Sequence, residues 1–138
     1  MTNTAHFTNP DQAVEFVTRT GVDSLAIAVG NANGNYIRTP ELDFDRICKL
    51  REVLNIPLVM HGGSDIPNDQ LARAVRCGMS KFNIATEYQR AFYNNMKEFF
   101  ADESNSGAYF KALRAIERPC IDFVKSKIDI LNPDHYQL

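Results

Sequence analysis

Pro57-Leu58-Val59-Met60-His61-Gly62-Gly63-Ser64 is the stretch that decides how this chain is read. Pro57 to Met60 is short, apolar and without alternation, which marks a strand covered on both faces. It breaks at a histidine and two glycines, residues that suit a loop and not a continuing strand. Upstream, Leu42 to Leu54 reads as a helix, with Asp43 placed to cap it and Phe44, Ile47, Leu50 and Leu54 on one side. Before that helix, Ser24 to Val29 repeats the strand pattern between Gly21 and Gly30. Further back, Asn9-Pro10 opens a helix with Ala13, Val14, Phe16 and Val17 as its apolar stripe, and Gly21 ends it.

Downstream the pattern continues. Asn68 to Cys77 reads as a helix with Leu71, Ala74 and Val75 inward and Gly78 beyond its end. Lys81 to Ile84 reads as a third strand, and Thr86 as the cap of a helix reaching about Phe100. A polar break, Asp102 to Gly107, precedes a last helical region over 109–131, which Pro119 should kink or divide.

Strands alternating with helices through short loops give an α/β fold with a parallel sheet and right-handed crossovers. Two architectures fit: a doubly wound open sheet, and a section of a (β/α)8 TIM barrel. About three parallel strands with flanking helices cannot close a barrel. Their outer edges would present unpaired backbone groups. The 138 residues are expected to form a single unit over 1–138.

Composition narrows the function classes. Hydrophobic residues make up 44% and charged residues 23%, with a net charge of −2, so no nucleic-acid partner is expected. No apolar run approaches the roughly 20 residues that cross a bilayer, and no membrane partner is expected. Cys48, Cys77 and Cys120 are dispersed, as free thiols in a reducing compartment would be. The opening MTNTAHFTNP has no apolar core of a signal peptide. A cytoplasmic protein is expected.

In parallel α/β folds, chemistry gathers at the C-terminal ends of strands. Those positions here hold Gly30 to Tyr36, His61 to Asp65 and Asn83 to Glu87. Gly62, Gly63 and Ser64 can offer backbone amides and a hydroxyl to an oxyanion. Asn83, Ile84, Ala85 and Thr86 stand at a helix start, whose free amides favour an anion. Each motif alone also reads as structure: the glycines as tight turns, Thr86 as a cap. Two such loops on consecutive strand ends favour a shared phosphate site. His61 alone fits a hydrogen-bonded core histidine as well as a metal ligand. A catalytic zinc usually takes three protein ligands. His6 and His135 lie in polar terminal segments, so one imidazole is well placed.

Three quoted segments carry a resemblance. Thr20 to Gly30 with Asn33-Gly34-Asn35-Tyr36, Pro57 to Pro67 (PLVMHGGSDIP), and Lys81 to Glu87 (KFNIATE) resemble the sixth, seventh and eighth barrel strands of class II, metal-dependent fructose- and tagatose-bisphosphate aldolases. Ala85-Thr86-Glu87 is closer to the tagatose-type branch. The resemblance implies the C-terminal section of a TIM barrel and the reversible aldol cleavage of a ketose 1,6-bisphosphate, a reaction of glycolysis and related carbohydrate metabolism. It implies a Zn²⁺ that polarises the ketose carbonyl, with His61 as one ligand. It assigns Gly34, Gly62, Gly63, Ser64, Asn83, Ile84, Ala85 and Thr86 to the phosphate of a phosphorylated sugar or dihydroxyacetone phosphate and to a nearby monovalent cation.

The departures are specific. No residue here matches the family's catalytic aspartate or one of its zinc histidines, because the resemblance begins at the sixth strand. Asn33 stands where the family carries another zinc histidine, and Zn²⁺ prefers nitrogen and sulfur to an amide oxygen. Ser106 to Phe110 shows no Asp-Pro-Arg before the last helix. The expectation is a family member inactive as this chain alone, acting as a homo-oligomer or with a complementary half-barrel chain. The alternatives are a non-catalytic phosphate-binding or structural subunit, and an unrelated phosphate-binding module of the flavodoxin type.

Overall fold

A computed structural model of the chain describes residues 6–32, 34 and 38–136. Helix α1, Pro10–Thr20, starts where Asn9 Oδ1 accepts from the amides of Asp11 and Gln12, and stops at Gly21 with φ 65. Strand β1, Leu25–Ala26, is followed by α2, Phe44–Val53, whose Arg46 amide is capped by Asp43. Strand β2, Leu58–Met60, α3, Asn68–Arg76, and β3, Met79–Phe82, follow. Helix α4, Thr86–Ala101, and α5, Tyr109–Leu131, are separated by a 3₁₀ turn at Glu103–Asn105.

The strands form a parallel sheet in the order β1-β2-β3. Leu25 pairs with Leu58 and Leu58 with Met79, while Ala26 pairs with Val59 and Val59 with Lys81. Ser80 is therefore the extra residue of a bulge between those rows. In a regular strand of the same residues Lys81 would fall opposite Met60 and turn toward the helices, since a one-residue slip reverses every later side chain.

One face of the sheet is covered. Leu58, Met60, Met79, Ile27 and Val29 join Ile47, Leu50, Leu71 and Ala74 from the helices in a continuous core. Full burial of a side chain such as Leu50 or Leu71 contributes about 2 kcal/mol. The opposite face carries Ala26 and Lys81, both exposed, beside a buried Val59.

Several expectations change here. Only β2 is buried at every position, because it alone has a strand on each side. In Ser24 to Val29 the regular strand is confined to Leu25–Ala26, and Ala26 is exposed. The edge of β1 is nonetheless partly closed: Thr8 N–H donates to Ala28 O at 2.8 Å, and Ala28 N–H donates to Thr8 Oγ1 at 2.8 Å. On α1, Ala13 is buried and Val17 half-buried, but Val14 and Phe16 are exposed. At about 100° per residue they flank the stripe instead of lying on it. Pro119 does not divide the last helix, which runs through it as one element packed on α3 and α4.

Candidate functional site

The loop after β2 is held from both neighbouring strands. Asn31, beyond β1, donates from Nδ2 to His61 O at 2.9 Å and to Ile27 O at 3.2 Å. Its Oδ1 accepts from Val29 N–H at 2.8 Å. From the other side, Asn83 N–H donates to Met60 O at 2.8 Å, and Gly63 N–H donates to Asn83 O at 3.0 Å. These bonds extend the parallel ladder past the ends of β2 and β3.

Two glycines permit this. Gly62 has φ 64, in the left-handed region. At Gly63 a Cβ would stand 3.2 Å from the Ile84 side chain and 3.3 Å from Asn83 O, so the two loops touch through bare backbone. Ser64 is 3% exposed.

The start of α4 departs from expectation. Ala85, not Thr86, precedes the first turn; Thr86 is the first helical residue, and no side chain of the segment caps it. Instead Ser64 Oγ accepts from Glu87 N–H at 3.2 Å, so the HGGS loop supplies the cap from outside the helix. The amides of Ile84, Ala85 and Thr86 have no hydrogen-bond partner among the described residues. They remain oriented at the positive end of a 16-residue helix.

His61 is exposed and borders a hollow of about 270 Å³ lined with Ala26, Ile27, Ala28, Asn31 and Ala32. Its Nδ1 lies 3.0 Å from Asn83 Nδ2. Thus His61, Gly62, Gly63, Ser64, Asn83, Ile84, Ala85 and Thr86 come together at one corner of the sheet. Gly34 is exposed with φ 88, and nothing in the described structure ties it to that corner. Asn33, the residue expected at a zinc-histidine position, lies outside the described residues, as do Asn35 and Tyr36. Among the described residues no three of His, Cys, Asp and Glu gather as a metal-holding group. The described residues therefore do not make a zinc site by themselves.

Behind the loop stands a set of charged residues, of which sequence reasoning passed over Arg90 and Lys127. Arg90 makes a two-pronged pair with Asp65, Nη1 to Oδ1 at 3.0 Å and Nη2 to Oδ2 at 2.7 Å. That hydrogen bonding holds the Asp65 carboxyl below its usual range. Glu87 Oε2 accepts from Asp65 N–H at 3.3 Å, and its Oε1 pairs with Lys127 Nζ at 2.7 Å. Arg90 sits three residues after Glu87 on α4, a spacing visible in sequence. Lys127, on another helix, gives no such signal. No helix among the described residues is long and apolar enough to cross a membrane.

The class II fructose-bisphosphate aldolase family model matches residues 1–135. The chain belongs to that family. Among solved structures, the YdjI aldolase from Escherichia coli K12 is similar at 36% identity and a TM-score of 0.82, over 94% of this chain and 47% of that one. The fructose-bisphosphate aldolase Fba of Campylobacter jejuni, at 23% identity, shares the fold with a TM-score of 0.74, over 94% of this chain and 46% of that one. The chain thus spans about half the length of these class II aldolases. Three parallel strands with helices on one face are a section of their TIM barrel, and the doubly wound alternative falls away.

Proposed function

We propose that this chain supplies the phosphate-holding corner of a class II ketose-bisphosphate aldolase and does not cleave a ketose bisphosphate alone. The observation that carries this reading is the convergence of the Gly62–Ser64 loop with the first turn of α4, joined by the bonds Gly63 N–H to Asn83 O and Glu87 N–H to Ser64 Oγ. The unpartnered amides of Ile84, Ala85 and Thr86 then face an anion with no side chain to displace. The ligand is a phosphorylated sugar, fructose or tagatose 1,6-bisphosphate, or its product dihydroxyacetone phosphate.

Cleavage needs groups that the resemblance does not find here, among them the catalytic aspartate. A zinc ion would take His61 and further ligands from outside the described residues. Those groups would come from a complementary half-barrel seated against the face of Ala26, Val59 and Lys81. Asn33 at a zinc-histidine position favours a second reading, a non-catalytic phosphate-binding or structural subunit.

One experiment addresses both. Dihydroxyacetone phosphate and inorganic phosphate are titrated into the chain while backbone amides are followed by NMR, and both bisphosphates are assayed for cleavage with added zinc. Shifts confined to 62–64 and 83–87, without turnover, are expected. Shifts elsewhere, or none, overturn the phosphate site; metal-dependent turnover overturns the claim of inactivity.

A further inference from the structure

Asp65 adopts φ 58, a left-handed conformation that a residue with a side chain seldom takes unless local bonds hold it. Something must hold it there, and two groups do. Arg90 grips the carboxylate. Glu87 Oε2 takes the backbone amide at 3.3 Å. The same Glu87 donates its own N–H to Ser64, so one residue grips the loop at Ser64 and at Asp65.

Glu87 is also an electrostatic liability. A carboxylate in the first turn complements the helix dipole, but it repels any anion at the amides of that turn. The neutralising charge arrives from α5. Lys127 Nζ is 2.7 Å from Glu87 Oε1, its side chain is 12% exposed against 25% for Glu87, and it lies 5.6 Å from the Phe123 ring. Water screens this pair far less than the exposed pairs elsewhere on the molecule.

Resting on the phosphate reading above, we infer that Glu87 and Lys127 are positioning residues of that site. Glu87 fixes the 61–67 loop through the Asp65 amide, and Lys127 cancels the charge of Glu87 so that the fixed loop still attracts phosphate. The C-terminal helix is thereby tied to ligand affinity without touching ligand.

The test titrates inorganic phosphate into the 138-residue chain and its variants, and measures hydrogen exchange at the Asp65 and Leu71 amides. Lys127→Gln should weaken phosphate binding about tenfold, equivalent to about 1.4 kcal/mol, and Lys127→Arg should retain it. The double variant Glu87→Gln/Lys127→Gln should recover most of the loss, because a neutral amide oxygen can still accept from Asp65. A purely structural ion pair gives the opposite order, with the double variant no better than Lys127→Gln, and that result overturns the inference. Unchanged affinity in Lys127→Gln overturns it too. Should the unaltered chain bind no phosphate, the proposed function fails, and exchange decides the positioning role separately. Faster exchange at Asp65 in Glu87→Ala, with Leu71 unchanged, supports it; exchange at the unaltered rate at Asp65 overturns it.

Discussion

Asn83 Nδ2 stands 3.0 Å from His61 Nδ1, joining the ends of two neighbouring strands through their side chains. With the amide nitrogen donating, Nδ1 accepts and Nε2 carries the ring hydrogen. The neutral ring should therefore be the Nε2–H tautomer, which nitrogen chemical shifts of His61 will show. Asn83→Ala should leave a mixture of tautomers. Observation of Nδ1–H in the unaltered chain would mean that Asn83 turns its oxygen to the ring.

The same contact bears on zinc. One ring nitrogen faces the Asn83 amide, and no metal-holding group of three side chains is found among the described residues. The isolated chain should lose added zinc on dialysis, with His61→Ala behaving alike. Stoichiometric zinc retained by the chain and lost in that variant would contradict this.

The Asp65–Arg90 pair makes stability depend on acid. The Asp65 carboxyl is lowered from 3.8, chiefly by the Arg90 hydrogen bond and despite some burial. A depressed folded value stabilises above the unfolded pKa, and that stability is lost as pH falls through the folded value. Asp65→Asn should therefore cost stability at pH 7, and the gap should close as pH falls through and below the usual carboxylate range. Both side chains are partly exposed, so the difference stays within about 1 kcal/mol. Denaturant melts above and below that range measure it; an equal gap at both would remove Asp65 as the source.

Cys77 should resist alkylation. Burial and, next, the hydrogen bond that the thiol donates to Cys48 push it up to about 11. At pH 8 roughly one thiol in a thousand is then the reactive thiolate. Iodoacetamide with mass mapping should leave Cys77 unmodified in the native chain and label it in urea. Rapid native labelling would show that the end of α3 opens.

Assembly follows from the sheet. One edge is partly closed by Thr8, but among the described residues no element covers the face of Ala26 and Lys81, and β3 has a neighbour on one side only. An exposed strand edge invites pairing. The chain should self-associate or bind a complementary half-barrel. Light scattering after size-exclusion chromatography tests this, and a monodisperse 15.6 kDa species that unfolds cooperatively would refute it.

Much of the fold was legible because its signals are local. Asn9-Pro10, Gly21 and Asp43 mark helix ends through bonds within three or four residues, and those ends stand where the residues put them. The apolar run before His61 marked the one strand covered at every position. The family was legible too, since HGGS and NIATE lie in order on consecutive strand ends. What needed tertiary structure is what depends on distant partners. The extra residue at Ser80 sets which way Lys81 faces, and a register has no local code. Ser64 reads as an anion donor in sequence, yet its oxygen caps a helix 23 residues away. Thr86 yields that role because the cap arrives from outside its own segment. Lys127 meets Glu87 only because α5 folds back against α4, a juxtaposition made by packing that no spacing records.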